Sequence, residues 1–140
     1  MNNQENSNYS EIFIKIEKLA FFDKNSMVDL TGDNKELMLE LLKVYLCDTP
    51  SQIQHIENYL QKKQFENVSI KAHTLKGASA MVGAMQLKEC AILLEKAADN
   101  EKMDDIVALF DYFKNKFSSY REYLLKTEVS ASDLENFTYT

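Results

Sequence analysis

Glycine and proline are scarce in this chain, with three and one among 140 residues, and tryptophan is absent. A β-rich domain needs such residues at each of its many turns. Their scarcity, together with 45% hydrophobic residues, points to an all-helical protein long enough to build one domain around its own core. Cysteine is equally sparse. Cys47 and Cys90 lie in separate helical patterns without metal-type spacing, so both read as reduced core residues and not as parts of a disulfide scaffold or a zinc site. No stretch approaches the ~18 apolar residues of a membrane span, and the first twenty residues lack a basic stretch followed by an apolar one. The chain is therefore expected in the cytoplasm, off the membrane. Excess positive charge is missing too: a net charge of −6 argues against a nucleic-acid partner. Lys62, Lys63, Lys71, Lys76 and Lys88 nonetheless flank or lie within one segment, where a solvated helix surface is the ordinary role of such residues. There is no glycine-rich phosphate loop and no nucleophile elbow, which disfavours ATP binding and Ser/Cys hydrolase chemistry. A metal-binding bundle needs Glu three residues before His, and Gln52 and Ile70 occupy those positions.

Residues 1–9 are rich in Asn, have no apolar period and read as a disordered lead. In residues 10–20, Ile12, Phe13, Ile16 and Leu19 fall near helical spacing and predict a short helix, although the run alternates enough to mimic a strand. Asp23 is placed to cap a brief helix through Met27 and Leu30, ended by Gly32 in a left-handed conformation. Asp33-Asn34-Lys35-Glu36 resembles a capping box with Asp as the cap, and opens the first long helix. Its apolar positions form two sets, Leu37, Leu41, Val44 and Tyr45, then Ile53, Ile56 and Leu60. Pro50 separates them and predicts a kink or a short break with Thr49 as a fresh cap. Three more helices follow, over residues 65–81, 86–98 and 102–125. The last two carry the stripes Leu87, Cys90, Ala91, Leu94 and Ile106, Phe110, Phe113, Phe117, Tyr120, Leu124. Short connections predict antiparallel neighbours, hence an up-and-down four-helix bundle over residues 10–126 with a short N-terminal helical extension; residues 127–140 read as a flexible tail.

Two of the three glycines lie within ten residues of one histidine, in the run Ala72-His73-Thr74-Leu75-Lys76-Gly77-Ala78-Ser79-Ala80-Met81-Val82-Gly83. A mid-helix Gly costs about 1 kcal/mol relative to Ala, so something must compensate. On a helical wheel His73, Lys76, Gly77 and Ala80 share one face, while Val68, Leu75, Ala78 and Val82 point the other way. Lys71 falls beside the apolar stripe, which requires either that it snorkel or that the helix be slightly rotated. The polar face thus presents an imidazole, a cation one turn on and almost no side-chain bulk. It suits a partner that approaches closely and hands over an anion. A neutral imidazole is a good nucleophile toward phosphorus, and phosphoryl transfer needs positioning and nearby positive charge more than acid–base machinery. His55, between the core candidates Ile53 and Ile56, reads as structural.

The pattern His73-x-x-Lys76-Gly77, followed by Gly83, resembles the histidine-containing phosphotransfer (HPt) family of multistep two-component phosphorelays. The likeness extends from about Phe22 to Lys126. Asp29-Leu30-Thr31-Gly32-Asp33 before a Leu-rich helix, a Pro inside that helix and Leu93-Leu94-Glu95 after Gly83 occur in the family's usual order. The resemblance implies a phosphocarrier without kinase activity: His73 accepts a phosphoryl group from a receiver-domain aspartate and passes it to another receiver. Lys76 would stabilise charge, Gly77 would let the partner's loops reach the ring, and Gly83 would keep the following turn low. Ile70, Ala80 and Met81 form either an apolar docking rim or the edge of the core. Glu95 falls where the family often carries Gln; a carboxylate there could hold the imidazole but would disfavour a phosphoryl dianion. The implied partners are response-regulator receiver domains, a hybrid histidine kinase, or both. The carrier would be a monomer with no cofactor of its own, Mg²⁺ sitting on the receiver. Two alternatives share the pattern. One is the phospho-accepting domain of a chemotaxis-type histidine kinase, which would make these residues a fragment; the other is a receiver-binding scaffold that accepts no phosphate.

Overall fold

A computed structural model describes residues 2–135 and 137, with side chains from Tyr9 onward. The described residues form seven helices and no strand: α1 (Asn2–Glu17), α2 (Lys24–Thr31), α3 (Lys35–Gln61), α4 (Phe65–Met81), α5 (Met85–Asp99), α6 (Met103–Thr127) and α7 (Ala131–Glu135). Helices α3 to α6 run up and down around one core, joined by connections of three residues. Their stripes meet there: Leu42, Leu46 and Ile56 of α3, Val68 and Leu75 of α4, Leu87, Cys90 and Leu94 of α5, and Ile106, Phe113 and Leu124 of α6 are all buried. Tyr45 closes the ring between first and last helix, its ring meeting Phe117 and Tyr120 edge-on at 5.8 and 5.7 Å. Such tilted aromatic pairs bring a ring's positive edge to its neighbour's negative face.

Local chemistry sets the helix ends. The Asp23 carboxylate accepts from Ser26 N at 3.1 Å to cap α2, and Gly32 ends it at φ 64°, as its position in the sequence predicts. The cap of α3 is Asn34, whose side chain accepts from Leu37 N at 3.0 Å, and not Asp33, which lies in the left-handed region. Asn and Asp cap equally well, so the turn geometry decides between adjacent candidates. Pro50 neither breaks the helix nor starts a new one: α3 is continuous across it. Its own ring is exposed, while Leu46 and Thr49 before it and Ile56 after it are buried in the same core. Tertiary packing on both sides thus holds the helix across one missing hydrogen bond.

Both ends of the described stretch carry helix. Residues 2–9, read as a disordered lead, belong to α1, and residues 10–17 are helix, not strand. This helix docks on α5 and α6: Ile16 is buried, the Phe13 ring stacks on Tyr112 at 4.2 Å, and Tyr9 donates its hydroxyl to Asp105. Gln86 of α5 donates to the carbonyls of Glu17 and Leu19, which fastens the chain leaving α1. At the other end Val129 is buried, Leu134 packs against the core, and the Lys43 ammonium sits over the Phe137 ring at 5.5 Å. In the segment read as a tail, Leu134 and Phe137 thus lie against the bundle. Residues 136 and 138–140 of that segment, like Met1 of the lead, lie outside the described residues. No helix among the described residues is long and apolar enough to cross a membrane.

Candidate functional site

Helix α4 buries Val68, Ala72, Leu75 and Ser79. The core stripe is rotated from the expected one, with Ser79 taking the full burial assigned to Ala78, and this rotation leaves Lys71 only half-buried. Two phenols hold it. Tyr45 of α3 shares a 2.9 Å hydrogen bond with Ser79 Oγ, and Tyr120 of α6 donates to the Val82 carbonyl at 2.7 Å. Burial pushes both phenols well above their ordinary range, so they stay neutral. With the core stripe pinned, the opposite face of α4 is forced outward.

His73 stands on that outer face with 65% of its side chain exposed. Its Nδ1 lies 2.9 Å from Glu95 Oε2 on α5, and Lys76 Nζ donates to the other carboxylate oxygen, Oε1, at 3.2 Å. An ionised carboxylate only accepts hydrogen bonds, so Nδ1 carries the hydrogen and donates it. Nε2 of a neutral ring then keeps its lone pair, on the side of the ring away from Glu95. The contact was foreshadowed by the chain's symmetry: His73 and Glu95 lie eleven residues before and after Ala84, in the turn between two antiparallel helices. One turn before His73, Ser69 donates to Asp99 at 2.5 Å and ties the same two helices again. Sequence reasoning missed that tie, although the same symmetry about Ala84 pairs those positions.

The other anticipated site residues divide. A Cβ at Gly77 would meet nothing within 4 Å, so the surface beside the ring is open. Ile70 and Met81 are exposed at 56% and 46% and flank the ring's face; Ala80 is half-buried and contributes less. Lys76 is not a free cation, because Glu95 engages it. Gly83 is not on this surface at all. It is buried at φ 69°, its carbonyl accepts from Asp23 N at 2.8 Å, and a Cβ there would collide with the Asp23 carbonyl. Its glycine serves the close crossing of the α4–α5 turn over the start of α2, roughly 15 Å along the helix from His73. His55, read as structural, is exposed on α3. Cys90 is buried as expected and donates to the Leu109 carbonyl; Cys47, half-buried, is likewise a free thiol. Among the described residues no group of three or more His, Cys, Asp or Glu is arranged to hold a metal ion.

An exposed histidine on a pinned bundle helix, in contact with a carboxylate from the next helix and bordered by a glycine with open space beside it, is the arrangement that the resemblance to the HPt family led one to expect. The model of the Hpt domain matches residues 40–133, and the chain belongs to that family. Helices α1 and α2 precede the matched stretch. The Phosphorelay intermediate protein rdeA of Dictyostelium discoideum is 20% identical over 95 residues, covering 68% of this chain and 37% of that protein. The match thus spans well under half the length of that relative. No solved structure matches the chain.

Proposed function

We propose that this chain is a phosphocarrier of a phosphorelay, taking a phosphoryl group onto His73 Nε2 from the aspartate of one receiver domain and giving it to the aspartate of another. One observation carries the reading: the 2.9 Å contact of Nδ1 with Glu95 on an otherwise exposed imidazole. It supports a ring in the nucleophilic tautomer, with Nε2 outward and oriented before any partner arrives. In the acceptance step the Nε2 lone pair attacks phosphorus, the N–P bond forms, the P–O bond to aspartate breaks and its electron pair returns to the carboxylate. Negative charge spreads over the three equatorial oxygens, which favours nearby cations. Lys76 supplies one by exchanging Glu95 for a phosphoryl oxygen, and the Mg²⁺ of the receiver supplies the other. Gly77 admits the receiver's catalytic loops, and Ile70 and Met81, with Ala80 below them, form the apolar rim of the docking face. Gly83 takes no part in it. The carrier acts as a cytoplasmic monomer, holds no cofactor and has no kinase activity. A hybrid histidine kinase and a response regulator provide the two receivers.

Incubation with a phosphorylated receiver tests this reading. The wild-type chain should gain an acid-labile, alkali-stable label, and His73→Gln should fold normally and gain none, since an exposed polar residue is replaced without a cavity. Label retained by that variant would move the role to His55 or to a hydroxyl. A chain that binds receivers but never acquires label would be a scaffold.

A further inference from the structure

We propose that the trough between α1 and α5 is a binding site for a small amphipathic organic anion, an apolar body bearing one carboxylate, sulfonate or phosphate group. The site is separate from His73 and goes beyond the carrier reading. Gln86 of α5 holds the end of α1 at Glu17 and Leu19, and Tyr9, about two turns earlier on α1, shares a cavity with Asn100 just past the far end of α5. The two helices thus run antiparallel, and two cavities of about 430 and 440 Å³ lie along the seam between them. Ile12, Lys15 and Leu93 line both, so the two form one continuous trough. Each has the volume of a small-molecule site.

The two ends of the trough differ. Toward Leu19 the lining is mostly apolar, adding Ile16 and Leu19 to Ile12 and Leu93, with Glu89 at the edge. Toward Asn100 the floor stays apolar, with Ala97 and Leu109 buried, but Lys96 and Lys102 join Lys15 around it. All three lysines are exposed, and among the described residues none of them is in an ion pair; the lysines so engaged are Lys24, Lys76, Lys114, Lys116 and Lys126. Glu11 and Asp105 share that end, and Asp105 already accepts the Tyr9 hydroxyl. Cations therefore outnumber carboxylates there, on a chain whose net charge is −6. An anionic head fits this end, where ammonium groups without an ion-pair partner can close on it. An apolar body fits the other, where burial removes it from water. A protein partner fits less well, because the apolar lining is recessed. Of the large apolar side chains left exposed among the described residues, Leu19 alone borders the trough, so it has no broad apolar rim for a second surface to cover.

Two probes test this on the folded full chain: anilinonaphthalene sulfonate, and phenyl-naphthylamine, which is the same aromatic body without the sulfonate. Fluorescence titrations give the affinities, and ¹H–¹⁵N NMR shows where each probe sits. The sulfonate should saturate a single site, shift the amides of Ile12, Leu93, Ala97 and Lys102 most, and bind at least about tenfold more tightly than the neutral probe. Added salt should weaken the sulfonate and leave the neutral probe unaffected. Lys96→Gln combined with Lys102→Gln replaces two exposed side chains, so the fold should persist while the preference for the sulfonate shrinks to about threefold or less. The neutral probe should bind that variant as it binds the wild type. Equal affinities for the two probes would overturn the inference, as would a double variant that keeps the full preference. So would the absence of saturable sulfonate binding, or shifts centred on the exposed Ile70 and Met81 instead of the trough.

Discussion

The two glycines of the His73 segment look alike in sequence and do opposite things. Gly77 has open space around its missing Cβ and ordinary helical geometry, so the fold would tolerate any side chain there. Gly77→Ala should raise stability by about 1 kcal/mol through helix propensity. Gly77→Gln should at least preserve stability while slowing transfer from a receiver by about tenfold or more, because the new side chain fills the docking face and misplaces the partner. Thermal melts and transfer rates should therefore move apart, and a Gln variant that transfers at the wild-type rate would detach Gly77 from docking. Gly83→Ala should do the reverse. A left-handed Ala costs roughly 1–2 kcal/mol before any collision is counted, and here its Cβ also meets the Asp23 backbone. That melting temperature should drop markedly while the folded fraction keeps a normal His73.

At the scale of elements, α1 lies, like α2, ahead of the matched family region, and its docking separates stability from chemistry. It covers α5 from the side that bears Leu93, Ala97 and Gln86, whereas Glu95 of the same helix faces α4. Deleting residues 1–20 removes the buried Ile16, the Phe13–Tyr112 stack and the Gln86 tether. Loss of one buried Ile side chain alone costs about 2–5 kcal/mol, so the truncated bundle should melt well below the full chain. It should still accept phosphate on His73, because α3 to α6 keep their own core. A truncation that melts unchanged would mean that α1 is not docked in solution. One that folds fully yet loses acceptance would give α1 a part in the site.

The whole molecule carries an alkaline weakness built from its core. Burial pushes the Cys90 thiol up from 9.0 to about 12, and it pushes the Tyr45 and Tyr120 phenols up from 10.0. Each group is neutral in the fold and would ionise sooner in the unfolded chain. The stability it contributes is complete below the unfolded value and is lost as pH rises toward the folded one. Each group removes about 1.4 kcal/mol per pH unit inside its window. The urea midpoint should therefore be level from pH 7 to about 8.5, fall from about 9 as the unfolded thiol ionises, and fall more steeply above about 10 as the phenols join. Cys90→Ala should lower the midpoint at neutral pH yet remain level to about pH 10. A midpoint independent of pH up to 11 would contradict the burial of all three.

Helix content, the order of the four bundle helices and the residues around His73 were legible because they depend on local chemistry: apolar spacing, caps, and a glycine where a helix would prefer alanine. Residues facing each other across short antiparallel turns, such as His73 and Glu95, were legible in part, since a turn of known length fixes which positions meet. What remained hidden depended on contacts between segments far apart in the chain. Composition could not reveal that α1 and Val129 pack on the bundle, because Ile16 and Val129 become buried only against helices formed elsewhere. Spacing alone could not show that Pro50 lies in a continuous helix, since packing on both sides outweighs one lost hydrogen bond. Nor could it separate Gly77 from Gly83, or a free Lys76 from one already engaged. Those distinctions rest on the backbone of Asp23, the cap of α2, and on a carboxylate from α5, and only the tertiary structure brings them within reach.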